Sequence, residues 1–457
     1  MNDFEKNYWS IYFDFLEQFK TVEYKGLPIA LCINFYKLIR KNKKITHSLN
    51  QPNNQKFSLP IQQQFESYLP KQKKRSKDQS SPIAFHDQLL RLSFNRLSQS
   101  LPQKEFIILR NTQHKIVSSS PFSIYNLNDY TNSVDTKPFT KLTKHILTKQ
   151  RKHPIFSNED FQKALLKEIS IVITTIECSL NFIENVHIRC LVLGCTNHVE
   201  GRTLAILARE KGIPTVCLQH GILALPFGFL PKVADQLAVY GSYEKHLYTE
   251  IGVDPTDINM IGHPRFDEIH KGSQKGKRKL IKKLGMDSKK KTILFISHHE
   301  ELKDMHSMID KLSSFPYNII IKPRTHVRKL TNFKKYSNVY ISKGIPLYDL
   351  IHYADVVVSY ESTVALESMI AKKPVFIWKL RSRYPTNYFS DINPYFYCEP
   401  SVLVKNLVNL LKDDRHNLSK RTRKQFLTNH YQSSNQSSLQ QLIDLIENTN
   451  TKLIKHK

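Results

Sequence analysis

The sequence predicts an α/β protein with two Rossmann-like domains, each built on a parallel sheet. Short apolar, β-branched segments alternate with helical patterns between residues 188 and 240, and the alternation restarts between residues 292 and 378. Segments that are apolar throughout are typical of strands covered on both faces, as in parallel sheets. Eleven of the thirteen glycines also fall between Gly194 and Gly285, so the turns that approach a ligand are expected there.

The elements follow in order along the chain. An amphipathic helix is expected within residues 1–40, a strand at 106–109 and a long helix at 158–186, which starts at a capping Ser157-Asn158 pair. The first alternation gives strands at 188–193, 215–218 and 237–240 and a helix at 203–211. The second gives strands at 292–296, 319–321, 356–358 and 375–378, and helices at 305–313, 347–352 and 362–371.

These elements define the expected domains. The N-terminal domain covers residues 1–262 and contains a loose basic insertion at 42–82, where Gln, Ser, Asn and Pro are frequent. A basic linker at 263–291 separates it from a C-terminal domain at 292–430, and a helix and tail at 431–457 end the chain.

Composition excludes several classes of protein. The 457 residues contain no uncharged apolar run of about 18 residues, the length that a spanning helix needs. The first residues contain no apolar signal segment, and the six cysteines form no CxxC pair or zinc-like spacing. An integral membrane protein, a disulfide scaffold and a zinc module are therefore not expected. The prediction is a cytoplasmic protein in a reducing compartment.

The charge points to an anionic partner. Lys and Arg number 68 against 40 Asp and Glu, a net charge of +28, with basic clusters at 71–77, 271–291 and 420–424. No aromatic residues interleave with these clusters, so nucleic acid is not the expected partner. The charge is either a solvated basic surface or a contact with a polyanion or an anionic membrane leaflet. For a membrane, the predicted contacts are the 71–77 cluster and exposed aromatic residues of the first helix, Trp9 and Phe13.

The first candidate motif is Gln219-His220-Gly221, directly after the strand at 215–218. Ligands of parallel α/β sheets bind at the carboxyl ends of the strands. His220 can act there as a general base near neutral pH, and Gly221 allows a ligand to approach the backbone. The alternative is a structural histidine in a turn.

Two further motifs carry cations. Arg265, in the turn 262–267, could reach a pyrophosphate, and Asp267 could pair with it or cap the next helix. Alternatively, the turn and its Arg–Asp pair only fix the linker. Lys322, Arg324 and His326 follow the strand at 319–321, an arrangement that suits a diphosphate, and the alternative is a solvated basic turn.

The fourth motif runs from Ser359 to Glu367, where a buried strand ends and a helix begins. The hydroxyls of Ser359, Ser362 and Thr363, the free backbone N–H groups and the helix dipole together suit a phosphate. Glu367, one turn into the helix, could accept hydrogen bonds from a ribose diol. The alternative makes Ser362 and Thr363 ordinary N-caps.

The order of these motifs, together with Lys373-Pro374, resembles the GT-B transferases of bacterial surface polymers over residues 188–380. The most similar are the CDP-glycerol glycerophosphotransferases of teichoic-acid synthesis and the capsular-polysaccharide glycosyltransferases. The resemblance implies two facing Rossmann-like domains, with the acceptor on the N-terminal one and the nucleotide donor on the C-terminal one.

The resemblance also implies roles for the motifs. It makes His220 the base, with Gln219 and Gly221 on the acceptor side. The charge of Arg265, and not the resemblance, predicts it as a second catalytic residue that supplies positive potential to the leaving phosphate. The donor is bound by a larger set, in which the first six residues hold the phosphates and the last, as argued above, the ribose: Lys322, Arg324, His326, Ser359, Ser362, Thr363 and Glu367.

The implied reaction transfers a sugar or glycerol phosphate from a CDP-, CMP- or UDP-linked donor to a hydroxyl of a polymer or lipid-linked acceptor. No cofactor is expected, and no metal, since the chain has no Asp-x-Asp motif. The chain has Ser359-Tyr-Glu-Ser-Thr where the glycerophosphotransferases have an Asp-Tyr-Ser-Ser-type sequence, which favours a sugar. The alternatives are a non-hydrolysing UDP-N-acetylglucosamine 2-epimerase and a non-catalytic polyanion- or membrane-binding scaffold.

Overall fold

The structure is a computed structural model that describes residues 1–52, 57–73, 80–111, 121–223, 227–269, 274–297, 302–323, 330, 332–333, 335–379, 387–413, 416–432 and 434–451. The described residues form two compact units. The first comprises those within 1–220, 226–263 and 434–457, and the second those within 221–225 and 264–433. The main division thus follows residue 263, and the C-terminal segment returns to the first unit.

The elements of the first unit, up to residue 263, are helices around a parallel sheet. The helices are α1 (Asp3–Phe19), α2 (Ile29–Cys32), α3 (Phe35–Ile39), α4 (Lys43–Leu49), α5 (Ile61–Glu66), α6 (Phe94–Ser100), α7 (Lys137–Lys149), α8 (Glu159–Asn185), α9 (Val199–Lys211) and α10 (Ser242–Glu250). The strands are β1 (Glu23–Tyr24), β2 (Leu27–Pro28), β3 (Ile83–His86), β4 (Phe106–Arg110), β5 (Ile124–Asn126), β6 (Cys190–Leu193), β7 (Thr215–Leu218), β8 (Gln236–Val239) and β9 (Ile258–Met260).

The second unit repeats the pattern on a smaller scale. Its helices are α11 (Gln274–Leu284), α12 (Leu302–Ser313), α13 (Leu347–Tyr353), α14 (Thr363–Ile370), α15 (Pro400–Asp413) and α16 (His416–His430). Its strands are β10 (Thr292–Ile296), β11 (Asn318–Lys322), β12 (Val339–Ile341), β13 (Val356–Tyr360), β14 (Val375–Trp378) and β15 (Tyr397–Cys398). The last helix, α17 (Ser438–Thr451), belongs to the first unit.

The two large sheets are parallel and each reverses its strand order once, while β1 and β2 form a separate antiparallel pair. In the first unit the order is β5-β4-β3-β6-β7-β8-β9, and in the second it is β12-β11-β10-β13-β14-β15. In the first sheet, later strands are added outward from β3 on one side and from β6 on the other. In the second sheet, they are added outward from β10 on one side and from β13 on the other. Such reversals open a crevice at the carboxyl ends of the two central strands. The predicted α/β class with two parallel sheets is confirmed.

The sheet of the first unit is closed at one face by α17. Its apolar residues Leu439, Leu442 and Ile446 pack into the same core cluster as strands β3, β4, β6 and β7. Arg189, just before β6, holds the helix through two bonds of 2.9 Å to the carboxylate of Glu447. The C-terminal segment, expected to be a separate helix and tail, is therefore part of the first unit's core.

Helix α1 is buried in the first unit by its aromatic side chains. Trp9 is 2% exposed and Phe13 5% exposed, so the prediction that they form an exposed membrane contact is wrong. They lie among other rings, with Trp9 edge-on to Tyr8 at 4.8 Å. Most of the 71–77 cluster lies outside the described residues. No helix in the described ranges combines the length and apolarity needed to cross a membrane.

The expected loose insertion and linker contain regular structure. Within 42–82, α4 buries Ile45 and Leu49 and α5 buries Ile61 and Phe65, so the prediction of a loose segment is wrong for the described part. Apolar residues spaced by four positions form one face of a helix even where the surrounding composition is polar. The linker at 263–291 likewise contains a 3₁₀ turn, Pro264–Glu268, and helix α11.

Candidate functional site

The candidate phosphate site lies at the strand-order reversal of the second unit. Strand β10 pairs with β11 on one side, where Ile296 is opposite Lys322, and with β13 on the other, where Phe295 is opposite Val358. The carboxyl ends of these strands therefore meet at one edge. Lys322 ends β11 there, and the turn from β13 into α14 carries Ser359, Ser362 and Thr363.

The hydroxyls of this turn bond to each other. Ser359 is fully buried at the end of β13, and its hydroxyl donates to the carbonyl of Tyr360 at 2.9 Å. The hydroxyl of Ser362 lies 3.0 Å from Ser359 Oγ and is the donor, because Ser359 has spent its only hydrogen. Ser362 occupies the N-cap position of α14, yet its side chain makes no capping hydrogen bond. The N-cap alternative for Ser362 does not describe this geometry.

Thr363, the first residue of α14, contacts the segment after His220. Its Oγ1 accepts a hydrogen bond of 3.2 Å from the backbone N–H of Ile222, which belongs to the same unit. A Cβ placed on Gly221 would lie 3.1 Å from Thr363 Oγ1, closer than ordinary contact. Gly221 therefore permits a close approach to Thr363.

Arg265 is paired with Glu367. Its guanidinium lies 2.8 Å from the carboxylate, with side-chain exposures of 16% for Arg265 and 3% for Glu367, and it stacks 4.8 Å from the ring of Phe266. The expected partner, Asp267, is not the acidic residue in this pair. Glu367 is therefore held by a cation within its own unit, and its contact with a ribose stays a prediction.

Lys322 is the described member of the cationic turn. Its ammonium donates to the carbonyl of Ile345 at 2.7 Å, and burial lowers the pKa of Lys322 from its ordinary value. Arg324 and His326 lie outside the described residues, so their roles stay predictions.

A further site residue, Glu361, lies in the turn between β13 and α14 and was not predicted from the sequence. Glu361 accepts a hydrogen bond of 2.5 Å from the hydroxyl of Tyr397, on β15. Burial, with the neighbouring Glu361, raises the pKa of Tyr397 well above its ordinary range. The ammonium of Lys379 lies 4.9 Å from the Tyr397 ring centre. Sequence spacing carries no signal for this group, because 36 residues separate the bonded pair.

His220 lies in the first unit at the carboxyl end of β7. Its Nδ1 is 3.1 Å from the backbone carbonyl of Gly194, and its ring stacks on Phe229 with centres 5.2 Å apart. A carbonyl only accepts, so Nδ1 carries the hydrogen and the neutral ring has its lone pair on Nε2. That tautomer is the one a general base requires.

The side chain of Gln219 makes contacts that stabilise the fold. Its amide donates to Glu244 at 2.9 Å and accepts from the backbone N–H of Tyr240 at 3.2 Å, and the side chain is buried. These bonds connect the end of β7 to the start of α10. Its assignment to the acceptor side stays a prediction.

The fold of this chain is similar to that of several solved structures. A scan of family models gives no match, and neither does a search of curated proteins. The S. aureus MnaA–UDP co-structure matches with a TM-score of 0.51 and 12% identity, over 82% of this chain and 97% of that one. The fold is GT-B-like. The predicted resemblance is confirmed at the level of the fold.

Two other solved structures give similar values. The wall teichoic acid polymerase TagF, as a single-residue variant soaked with CDPG, matches with a TM-score of 0.49 and 14% identity, over 83% of this chain and 91% of that one. Anabaena Alr3699/HepE in complex with UDP-glucose matches with a TM-score of 0.49 and 12% identity, over 81% of this chain and 99% of that one.

Proposed function

We propose that this protein is a nucleotide-dependent transferase of bacterial surface-polymer synthesis, which moves a sugar or glycerol phosphate from a CDP-, CMP- or UDP-linked donor to an acceptor hydroxyl. One observation carries the proposal. At the strand-order reversal of the second unit, α14 begins at a Ser-Thr pair in which Ser362 does not cap the helix. Its first-turn N–H groups and the helix dipole are suited to a phosphate.

The leaving phosphate would be stabilised by cations of the same unit. Lys322 ends β11 at this edge, and Arg265 is oriented by the buried carboxylate of Glu367. Arg324 and His326 follow Lys322 in sequence and complete the proposed set. Fixed positive groups aimed at developing negative charge are typically the largest contribution to such reactions.

The acceptor would be deprotonated by the first unit. The proposed base is Nε2 of His220, because the Gly194 carbonyl fixes the hydrogen on Nδ1. As the acceptor oxygen bonds to the transferred group, its proton passes to Nε2 and the bond to the nucleotide breaks. The nucleotide leaves with the electron pair.

Loss of the two hydroxyls should weaken nucleotide binding. For Ser362→Ala with Thr363→Ala, we expect an affinity lower by roughly 1–3 kcal/mol, the scale of hydrogen bonds to a charged group. Calorimetric titration with CMP, CDP-glycerol, UDP and GDP measures it. Ser313→Ala with Ser314→Ala is the matched control, because it removes two hydroxyls of the same unit that bond to local backbone carbonyls. If both double variants bind nucleotide with equal affinity, the hydroxyls of Ser362 and Thr363 do not belong to the nucleotide site.

We infer a cytoplasmic protein that contacts an anionic membrane surface peripherally. Helix α16 exposes Lys420, Arg421 and Lys424, which follow one another along one face with spacings of one and three residues. Each basic residue at such a surface contributes about 1 kcal/mol, and salt screens the attraction.

We expect binding to anionic vesicles to depend on the charges of Lys420, Arg421 and Lys424. Changing these three residues to Gln should lower binding to phosphatidylglycerol vesicles roughly 100-fold at low salt. The matched control changes Lys279, Lys282 and Lys283 to Gln, three exposed charges of α11. Co-sedimentation measures both variants. Equal losses in the two variants, or binding to neutral vesicles, would contradict the assignment to α16.

A further inference from the structure

A second polar edge lies at the strand-order reversal of the first unit, between β3 and β6. His86 ends β3 and is fully buried, with Nε2 3.2 Å from Asn111 Oδ1, just after β4. The next two residues also bond to neighbouring elements. Asp87 pairs with Arg110 of β4 at 3.0 Å, and the amide of Gln88 donates to Glu200, in the first turn of α9, at 3.2 Å.

Buried polar atoms at this edge have unused hydrogen-bonding capacity. Within the described part of the chain, His86 Nδ1, Gln88 Oε1 and Asn111 Nδ2 are buried without a hydrogen-bond partner. More than about 90% of buried polar groups in proteins are paired, so several orphaned atoms in one place need an explanation. His86 Nδ1 and Gln88 Oε1 are acceptors, and Asn111 Nδ2 is a donor. A ligand hydroxyl both donates and accepts, so it can bond to either kind of atom.

The backbone of this edge is strained. Leu89 and Arg91 have φ values of 58° and 53°, in the left-handed region that side-chain-bearing residues rarely adopt. Such strain costs of order 1 kcal/mol or more per residue and occurs mainly at functional sites.

The strained turn is connected to His220. A Cβ on Gly194 would overlap the backbone of Leu90, so only glycine permits this packing. The carbonyl of Gly194 holds His220 Nδ1, and Arg91 donates to the backbone carbonyl of His220 at 3.2 Å. The turn therefore places the polar edge beside the proposed base.

Among the described side chains of this edge, two carboxylates (Asp87 and Glu200) and two guanidiniums (Arg91 and Arg110) are equal in number, in contrast to the +28 of the whole chain. Asp87 and Arg110 are paired directly, whereas Arg91 bonds to the carbonyl of His220. Phosphate recognition relies on an excess of cations. The zero net charge of these four side chains favours an uncharged ligand.

We propose that this edge binds a neutral, polyhydroxylated acceptor, a sugar rather than a phosphate polymer, through the side chains of Gln88, Asn111 and Glu200. Its role as the acceptor site rests on the proposed function, whereas sugar binding itself does not. Phe229, which is stacked on His220 and half-buried, adds an aromatic surface beside the site.

The experiment uses the full-length protein without nucleotide. Saturation-transfer NMR with methyl β-D-glucopyranoside, N-acetylglucosamine and glycerol 3-phosphate should show millimolar binding of the neutral sugars, tighter than that of the phosphate. Gln88→Ala with Asn111→Ala should weaken sugar binding at least fivefold, since each lost hydrogen bond contributes about 1 kcal/mol. Gln162→Ala is the control, because it removes a half-buried amide elsewhere in the unit.

Asn111→Asp keeps the side-chain shape and removes the amide donor, so it should show a similar loss even if the double variant unfolds. The proposal is overturned if neutral sugars do not bind, if glycerol 3-phosphate binds more tightly, or if both the double variant and Asn111→Asp bind sugar like the parent. Calorimetry with nucleotides on the same protein separates the two claims. Sugar binding without nucleotide binding refutes the transferase, and the reverse refutes only this site.

Discussion

Replacement of His220 by Ala is expected to lower the transfer rate by about 10² to 10⁴ while nucleotide affinity stays unchanged. A positioned general base typically contributes this much. The bond from Nδ1 to the Gly194 carbonyl fixes the tautomer, so the substitution removes the lone pair of Nε2, the atom proposed to accept the proton. The measurement pairs steady-state turnover with calorimetric nucleotide affinity.

The matched control is His246→Ala. His246 is in the same unit, is 77% exposed and contacts Glu250 one turn along its own helix, so its loss should leave turnover unchanged. Near-parental turnover in His220→Ala would show that another group, or water, accepts the proton.

Replacement of Arg265 by Ala is expected to destabilise the second unit by about 3–5 kcal/mol. Removing one partner of a buried ion pair costs this much, because the other charge stays buried without it. Glu367 is 3% exposed and loses a guanidinium 2.8 Å away. Urea unfolding followed by the fluorescence of Trp378, in β14 of this unit, measures the loss in a Trp9→Phe background.

Two controls isolate the pair. Arg278→Ala removes an exposed arginine of the same unit and should cost less than about 0.5 kcal/mol. Arg265→Ala with Glu367→Ala should cost clearly less than the sum of the single changes, because the carboxylate that loses its guanidinium is removed as well. A loss below about 1 kcal/mol in Arg265→Ala, or strict additivity, would contradict a buried, coupled pair.

Continuous apolar strands were the part of the fold most accessible from sequence. The predicted strands at 215–218, 292–296 and 375–378 coincide with β7, β10 and β14, and the helix predicted at 158–186 is α8 within one residue at each end. These segments are apolar along their whole length or have clear helical periodicity, so local pattern and tertiary burial agree.

Elements whose burial depends on distant residues were missed. β3 is only four residues long and follows a polar stretch, so the strand that ends in His86 was not predicted. Helix α1 was expected to expose Trp9 and Phe13, but it is covered by surrounding helices whose placement local sequence does not specify. Charge and composition alone likewise suggested a loose segment where α4 and α5 form.

The motifs of the site could be predicted from the sequence, but the contacts between their residues could not. The Ser362-Thr363 pair at a helix start follows from a strand-turn-helix pattern, and the structure places it there. The bond between Arg265 and Glu367 joins residues 102 positions apart, so local sequence, which offered Asp267 two positions away, could not predict it. The polar edge at β3 was invisible for the same reason, since strand order is set by long-range pairing.

Product analysis tests the central claim most directly. The full-length protein is incubated with CDP-glycerol, a CMP-sugar and UDP-sugars, each with a neutral sugar acceptor, and the products are resolved by mass spectrometry. We expect that one donor releases its nucleotide in equal amount with a new bond on an acceptor hydroxyl, and that His220→Ala slows both by about 10² to 10⁴. A donor sugar isomerised without nucleotide release would identify an epimerase instead. Donors left intact in every mixture would contradict the transferase altogether.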